Sequence, residues 1–472
     1  GGILLTVRVG VLQVRRLPLA LKWMVKNEEG GNGEISSFGA LCTALSATIG
    51  TGNIVGVAGA IATGGPGAVF WMWVIAFFGM MTNYSENVLG ILYRRKNSDD
   101  EWCGGAMYYL KDGLGSKKNM KTVGMVLAAL FSCFCLLASF GIGNMSQVNS
   151  MVKNINHAFG IPQIAVGIFL FIAVGAVIVG GLKRIAAMTE KLVPFMVILY
   201  LIGTIIIIFT NITAIPAVFV SIFKGAFAMK AVGGGIVGSG IAMAMKMGMK
   251  RGVFSNEAGL GSSVMVHSSS NVKEPIRQGM WGIFEVFADT IVVCTLTALT
   301  LLSSGIVNLE TGMLTAEGEA VGSSALMSYA FELRFGKIGS AFIAIAILLF
   351  AYSTVLGWSH YGSKAFEYLF GTKAIVVYRV IFSIVVLAGS VMEAQLAWDI
   401  SDTFNGLMMI PNLIGVLVLS PEVMRCTRNY VERRILKKQG IKPMLSNFPD
   451  IQKEQEVRLQ ERLKTLAENE DA

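Results

Sequence analysis

Apolar residues run through this chain in long blocks separated by short polar stretches. The blocks near residues 36–62, 67–93, 122–149, 163–181, 189–210, 226–250, 280–304, 338–362, 374–392 and 396–420 each approach the ~20 residues that carry a helix across a bilayer. A further block near 1–14, GGILLTVRVGVLQVRR, reads as the cytoplasmic end of a helix whose beginning is missing. Eleven transmembrane helices are therefore predicted. Two of the blocks are interrupted by glycine-rich stretches, SATIGTGN (Ser46 to Asn53) and GGGIVGSG (Gly233 to Gly240). In hydrocarbon every backbone polar group needs a partner, so unwound backbone at that depth is expected only where it is buried or lines a cavity.

Setting the first helix aside leaves two sets of five, with one break in the first helix of each. Five is odd, so the second set enters the membrane from the opposite side. The pattern predicts an all-α polytopic membrane protein with a 5+5 inverted-repeat core and two discontinuous helices, the plan in which secondary transporters hold substrate and ions at the midplane. The expected organisation is a first helix and linker over 1–35, repeats over 36–210 and 211–420, and a polar cytoplasmic tail over 421–472.

Composition supports the membrane assignment, with 54% hydrophobic and 15% charged residues. The net charge of +9 resides in the loops. Of the 39 Lys and Arg residues, 33 fall in segments assigned to the cytoplasm and 5 in segments assigned outside, which is the bias that orients membrane proteins. That distribution argues for a multi-pass protein of the plasma membrane (the inner membrane in a bacterium) with a cytoplasmic C-terminus, and against a nucleic-acid partner. The six cysteines are scattered without a CxxC, and His157, His267 and His360 are isolated, so neither a disulfide framework nor a zinc site is expected. No P-loop, HExxH or GxSxG occurs in its required context; the chain is not expected to be an enzyme. The stretch 305–337 forms the longest outer loop, and ALMSYAFELRFG within it is predicted to fold as a short helix over the entrance or to serve as a solvated connector.

The breaks carry the candidate chemistry. At Gly50, Thr51, Gly52 and Asn53, glycine permits the unwound conformation and close approach of a ligand. The half-helix from Ile54 then offers N–H groups and a positive dipole end, suited to a carboxylate. Unwound carbonyls of the second break suit an ammonium group, so a free amino acid would fit between the two. Sodium prefers hard oxygen ligands, and LLFAYSTVLGW supplies Ser353 and Thr354 side by side, with Trp358 one turn beyond either walling the site or simply packing. Gln147 and Asn144 lie on a helix expected to flank the cavity. Glu86, Glu285, Asp289, Asp399 and Asp402 are ionisable at or near membrane depth, each either bonded to a helix break or available to relay a proton.

ALSATIGTGNIVGVAGAIATGGPGAVFWMWV (Ala44 to Val74) and KRGVFSNEAGLGSS (Lys250 to Ser263) strongly resemble the signature segments of the alanine or glycine:cation (sodium:alanine) symporter family. The resemblance extends over about residues 1–425. It implies a leucine-transporter-like fold that carries a small amino acid, alanine or glycine, with sodium by alternating access. Carried over by position, it implies that Thr48, Thr51, Gly52 and Asn53 line the substrate and one sodium site. Carbonyls of Ser46 and Ile49 with Ser353 and Thr354 would form a second sodium site. Gln147, Thr354 and Trp358, with the main chain of Gly234, Gly235 and Gly238, would complete the substrate pocket. Asn256 and Glu257 would act on an inner gate at the cytoplasmic side. Proton coupling is the nearest alternative within transporters, and a channel or nutrient sensor a more distant one.

Overall fold

The computed structural model describes residues 1–15, 18, 33–227 and 239–470. The glycine cluster Gly233–Gly238, including Gly234, Gly235 and Gly238, lies outside the described residues.

Apart from one small hairpin, β1 (Arg95–Lys96) with β2 (Trp102–Cys103), the described chain is helical. Besides short helical segments at Ala106–Leu114, Val264–His267 and Ala316–Val321, the helices are α1 (Gly2–Arg8), α2 (Leu12–Arg15), α3 (Ser37–Thr48), α4 (Gly52–Gly64), α5 (Gly67–Leu92), α6 (Lys121–Phe159), α7 (Gln163–Ile178), α8 (Gly181–Thr210) and α9 (Ile212–Phe227). They continue as α10 (Ser239–Asn256), α11 (Pro275–Ser303), α12 (Leu326–Phe335), α13 (Lys337–Phe370), α14 (Thr372–Val391), α15 (Ala394–Ile435) and α16 (Pro449–Glu470). Among the described residues seven helices are long and apolar enough to cross a membrane, and α3 with α4 makes an eighth span bent by 48°.

Local sequence sets the boundaries. Ser36 starts α3 by accepting the Gly39 N–H on its hydroxyl at 2.8 Å, which satisfies one of the orphan donors of a first turn. Pro275 opens α11, where a missing N–H is harmless. Among the described residues π-turns occur in four of these helices, at Gly52–Gly56, Gly141–Met145, Phe287–Cys294 and Val431–Ile435; such single-turn bulges are frequent at functional sites.

Two groups of helices are visible in the packing. In one, α5 packs on α10 and α11, and α10 on α4; in the other, α6 packs on α13, and α7 on α14. Helices occupy most of the expected blocks among the described residues, and the boundaries differ from the sequence reading in three places. Residues 212–227, most of which lie between the spans expected at 189–210 and 226–250, form α9, whose Gly225 backbone abuts Gly67 at the start of α5. The span expected at 226–250 is displaced to α10, which runs antiparallel to α4: Gly64 meets Ala244 and Met247, and Gly52 meets Phe254 and Ser255. Lys246, Lys250 and Arg251, counted with the cytoplasmic residues, therefore lie along α10 on the Gly64 side of the break, with Arg251 against Gly56. Moving three of the 33 leaves 30 against 8, still a strong bias.

The third correction concerns the tail. α15 passes through Pro411 and Pro421 without stopping, and the segment after it folds back on the bundle. The Asn447 N–H donates to the Leu92 carbonyl at 2.9 Å and the Ser446 hydroxyl to the same oxygen at 3.4 Å. Glu422 gathers Tyr93, Lys117 (2.6 Å) and Asn447 (3.2 Å). Arg433 and Arg434 pair with Glu274, immediately before α11.

Candidate functional site

The first break forms as the glycine density predicts. Ile49, Gly50 and Thr51 separate α3 from α4, and Asn53 closes the gap by accepting the Gly50 N–H on its side-chain oxygen at 2.9 Å. Gly50 is required by crowding: a Cβ there would lie 2.3 Å from Thr354 Oγ1 and 3.1 Å from Gln147 Oε1. Gln147 accepts the Thr51 N–H at 3.1 Å and donates to the Ile142 carbonyl at 2.9 Å, while the Thr51 hydroxyl is buried with no partner among the described residues.

Across the break, the Thr354 hydroxyl donates to the Ser46 carbonyl at 2.9 Å and the Ser353 hydroxyl approaches the same oxygen at 3.4 Å. Three of the four oxygen sources expected for the second sodium site are therefore in one place. Thr48 is turned differently, its hydroxyl bonding back to Ala44 and Leu45 of its own helix at 3.3 and 3.4 Å. Asn144 is engaged with the Phe382 carbonyl of α14 at 2.8 Å.

Among the described residues, the interruption that faces the first break is the turn that follows α10. Glu257, Gly259 and Gly261 have φ of 56°, 97° and 72°, left-handed values for which glycine is suited and glutamate is not. Glu86 of α5 and Asn412 of α15 hold this turn: Asn412 donates to Glu86 and, at 2.7 Å, to the Gly259 carbonyl, while Tyr109 donates to Asn412. Asn256 and Glu257, expected at the cytoplasmic side, instead lie at the depth of the first break. Glu257 accepts the Trp358 indole N–H at 2.7 Å and the Ser262 hydroxyl at 2.5 Å; Asn256 donates to Thr290 at 3.0 Å. Trp358 in turn packs on the α6 bulge, where a Cβ on Gly143 would meet its Cβ at 2.3 Å.

Asp289 on the α11 bulge completes the centre. It accepts from Asn53 at 2.6 Å, from Ser255 at 2.8 and 3.0 Å, and from Thr290 at 2.7 Å. The sequence marked it only as one of several intramembrane carboxylates, because its partner Asn53 is 236 positions away. Its place on a helix one turn from a second buried acid, Glu285, offered no means of choosing between them.

The remaining carboxylates are engaged elsewhere. Glu285 meets His267 at 3.0 Å and Asn83 at 3.1 Å. Asp402 pairs with Lys250 at 2.6 Å and Arg251 at 3.2 Å, and Arg251 lies over the Trp398 ring at 4.4 Å, with Trp398 against Phe254. This aromatic and ionic layer sits on the α10 side of the break nearer Gly64, and the Glu257–Trp358 contact on the other. Ser46, Thr51, Asn53, Gln147, Ser353 and Thr354 between them are all buried.

Helix breaks that face one another and a cluster of hard oxygens between them are the features of a secondary-transporter core. The sequence matches the profile of the sodium:alanine symporter family over residues 1–446, and the chain belongs to that family. A sodium/alanine symporter, AgcS, of Methanococcus maripaludis is 44% identical over 437 residues, covering 92% of this chain and 93% of that one. An uncharacterized transporter of Haemophilus influenzae is 41% identical over 434 residues, covering 92% and 91%. Among solved structures, a Na+-coupled sialic acid symporter in a substrate-bound outward-open state aligns with a TM-score of 0.55 at 12% identity, covering 96% of this chain and 95% of that one. That likeness is one of fold.

Proposed function

We propose that the protein carries a small neutral amino acid, alanine or glycine, into the cell together with sodium, by alternating access of an eleven-span, 5+5 inverted-repeat bundle whose C-terminus is cytoplasmic. The observation that carries this reading is the convergence of the Ser353 and Thr354 hydroxyls on the Ser46 carbonyl at the end of α3. A sodium ion needs several oxygens and no protons at one point. With Ile49 supplying a further carbonyl, sodium accepts the oxygens that now bond one another and ties α13 to the break.

The amino acid lies beside it. Its carboxylate meets the N-terminal end of α4 at Thr51, Gly52 and Asn53, and the free Thr51 hydroxyl supplies a donor. Gln147 holds the Thr51 peptide in place, and Asn53, oriented by Asp289, links the substrate to a sodium at the same break. The ammonium group faces unwound backbone, supplied by the turn after Asn256 beside the expected main chain of Gly234, Gly235 and Gly238. Trp358 forms a wall, and its bond to Glu257 closes the route toward the basic end. The Arg251–Asp402 layer closes the other route, so the two must open in alternation. A small substrate agrees with the crowding around Gly50 and Gly143.

Alanine uptake into proteoliposomes tests the proposal. Concentrative uptake driven by an inward sodium gradient is the expected result. Accumulation that ignores sodium and follows a proton gradient would replace it with proton coupling, and equilibration without accumulation would point to a channel or sensor.

A further inference from the structure

The segment TVRVGVLQVR (Thr6 to Arg15) places arginines among apolar residues, and the fold turns this into a groove. α1 and α2 contribute Arg8, Val9, Leu12 and Arg15; α15 contributes Met424, Thr427, Arg428 and Val431. Together they line a groove of about 230 Å³. Arg8 is steadied by a bond from Nη1 to the Ser420 hydroxyl at 2.8 Å, and Arg15 by one from Nη1 to the Gly10 carbonyl at 3.4 Å. Among the described residues no carboxylate lines the groove, and none of the three arginines has an acidic partner there. Three guanidinium groups thus share one hollow without a counter-charge among the described residues.

The surroundings identify what kind of anion fits. The groove opens at the end of the bundle that carries the basic loops, and beside it Val7 and Val14 are 73% and 56% exposed, as suits side chains in contact with lipid. A free phosphate would use the guanidinium groups, whose fork geometry matches its oxygens, but would leave Val9, Leu12, Met424 and Val431 against water. A molecule with a phosphate at one end and hydrocarbon at the other satisfies both halves of the lining. Basic pockets between membrane helices on the cytoplasmic side recognise lipid head groups on this principle.

We propose that this groove binds an anionic phospholipid, its phosphate held by Arg8, Arg15 and Arg428 and its chains lying along the apolar lining. The lipid bridges α1 and α15.

The test uses the full chain, purified in mild detergent and offered phosphatidylglycerol or phosphatidylcholine of the same acyl chains, with retained lipid counted by native mass spectrometry. Preferential retention of phosphatidylglycerol is expected, falling about fivefold in Arg428→Gln and roughly a hundredfold in the triple Arg8→Gln, Arg15→Gln, Arg428→Gln variant, at about one basic contact's worth of affinity each. The same three positions changed to lysine should retain most of it, which separates lost charge from lost fold. Lys118→Gln, Lys121→Gln, Lys373→Gln together remove equal charge from the same end and should leave retention unchanged. The proposal is overturned if that control loses as much lipid as the arginine triple, if phosphatidylcholine is held equally, or if inorganic phosphate displaces the lipid completely. Displacement by an acidic peptide in place of phosphate would reassign the groove to a protein partner and overturn it as well.

Discussion

Thr354 bears on two backbones at once, donating to Ser46 across the break and sharing its hydroxyl with Phe350 of its own helix at 3.0 Å. Replacing it with valine keeps the shape and removes the oxygen. The half-saturating sodium concentration for alanine uptake should rise by at least about tenfold, by analogy with the loss of groups that support a bound metal, while Thr354→Ser should stay near the parent value. Equal sodium dependence in all three proteins would remove Thr354 from the ion site. Trp358 makes a different case. Its indole N–H is one of the two donors on the buried Glu257 carboxylate, so Trp358→Phe leaves an oxygen unpaired at a penalty of about 1–3 kcal/mol. We expect a lower unfolding temperature and a faster alanine leak, read in the same vesicles. A leak unchanged from the parent would show that this contact does not hold the route closed.

At the level of elements, the α6 bulge is packed too closely to accept even a methyl group. Gly143→Ala would force its Cβ into Trp358 and should destabilise the protein by about 1–3 kcal/mol. A methyl group added at Gly59 on α4 would meet nothing within 4 Å, and Gly59→Ala should be neutral or stabilising by up to ~1 kcal/mol through helix propensity. Thermal unfolding of the two variants in one detergent compares them directly; similar shifts would contradict the packing described. The first break could be read from sequence because Gly50 and Gly52 flank a threonine in an otherwise apolar run. The turn that faces it among the described residues is harder to read from the sequence. Asn256 to Gly261 mixes two glycines with polar residues and looks like an ordinary loop until Glu86 and Asn412 are seen to hold it.

For the molecule as a whole, sodium and amino acid must raise each other's affinity by one shared factor, since a binding coupling is reciprocal. Titrating alanine at high and low sodium, and sodium with and without alanine, should give matching shifts of roughly 5–150-fold. No shift in either direction would leave the two ligands uncoupled. The succession of helices was legible because apolar blocks and basic loops are local properties of a chain. The contacts between the halves were not, since Asn53 with Asp289 or Glu86 with Asn412 depend on helices brought together only by the complete bundle.

The polar tail shows the same dependence on completion. Deleting residues 437–472 should lower the unfolding temperature, because the Leu92 carbonyl loses both donors and Glu422 loses one, at about 1–3 kcal/mol for each buried group left unpaired; an unchanged transition would make the tail a passenger. The Leu92 carbonyl also has a history during biosynthesis. Its helix is made early, yet its last acceptor contact waits for residues 446 and 447, more than 350 positions later in the chain. At ~5–20 residues per second, the ribosome leaves that helix end uncapped for tens of seconds, and a segment made more than 350 positions later is the one that seals it. A chain halted before its tail would therefore present quality-control proteases with an inserted but unfastened bundle.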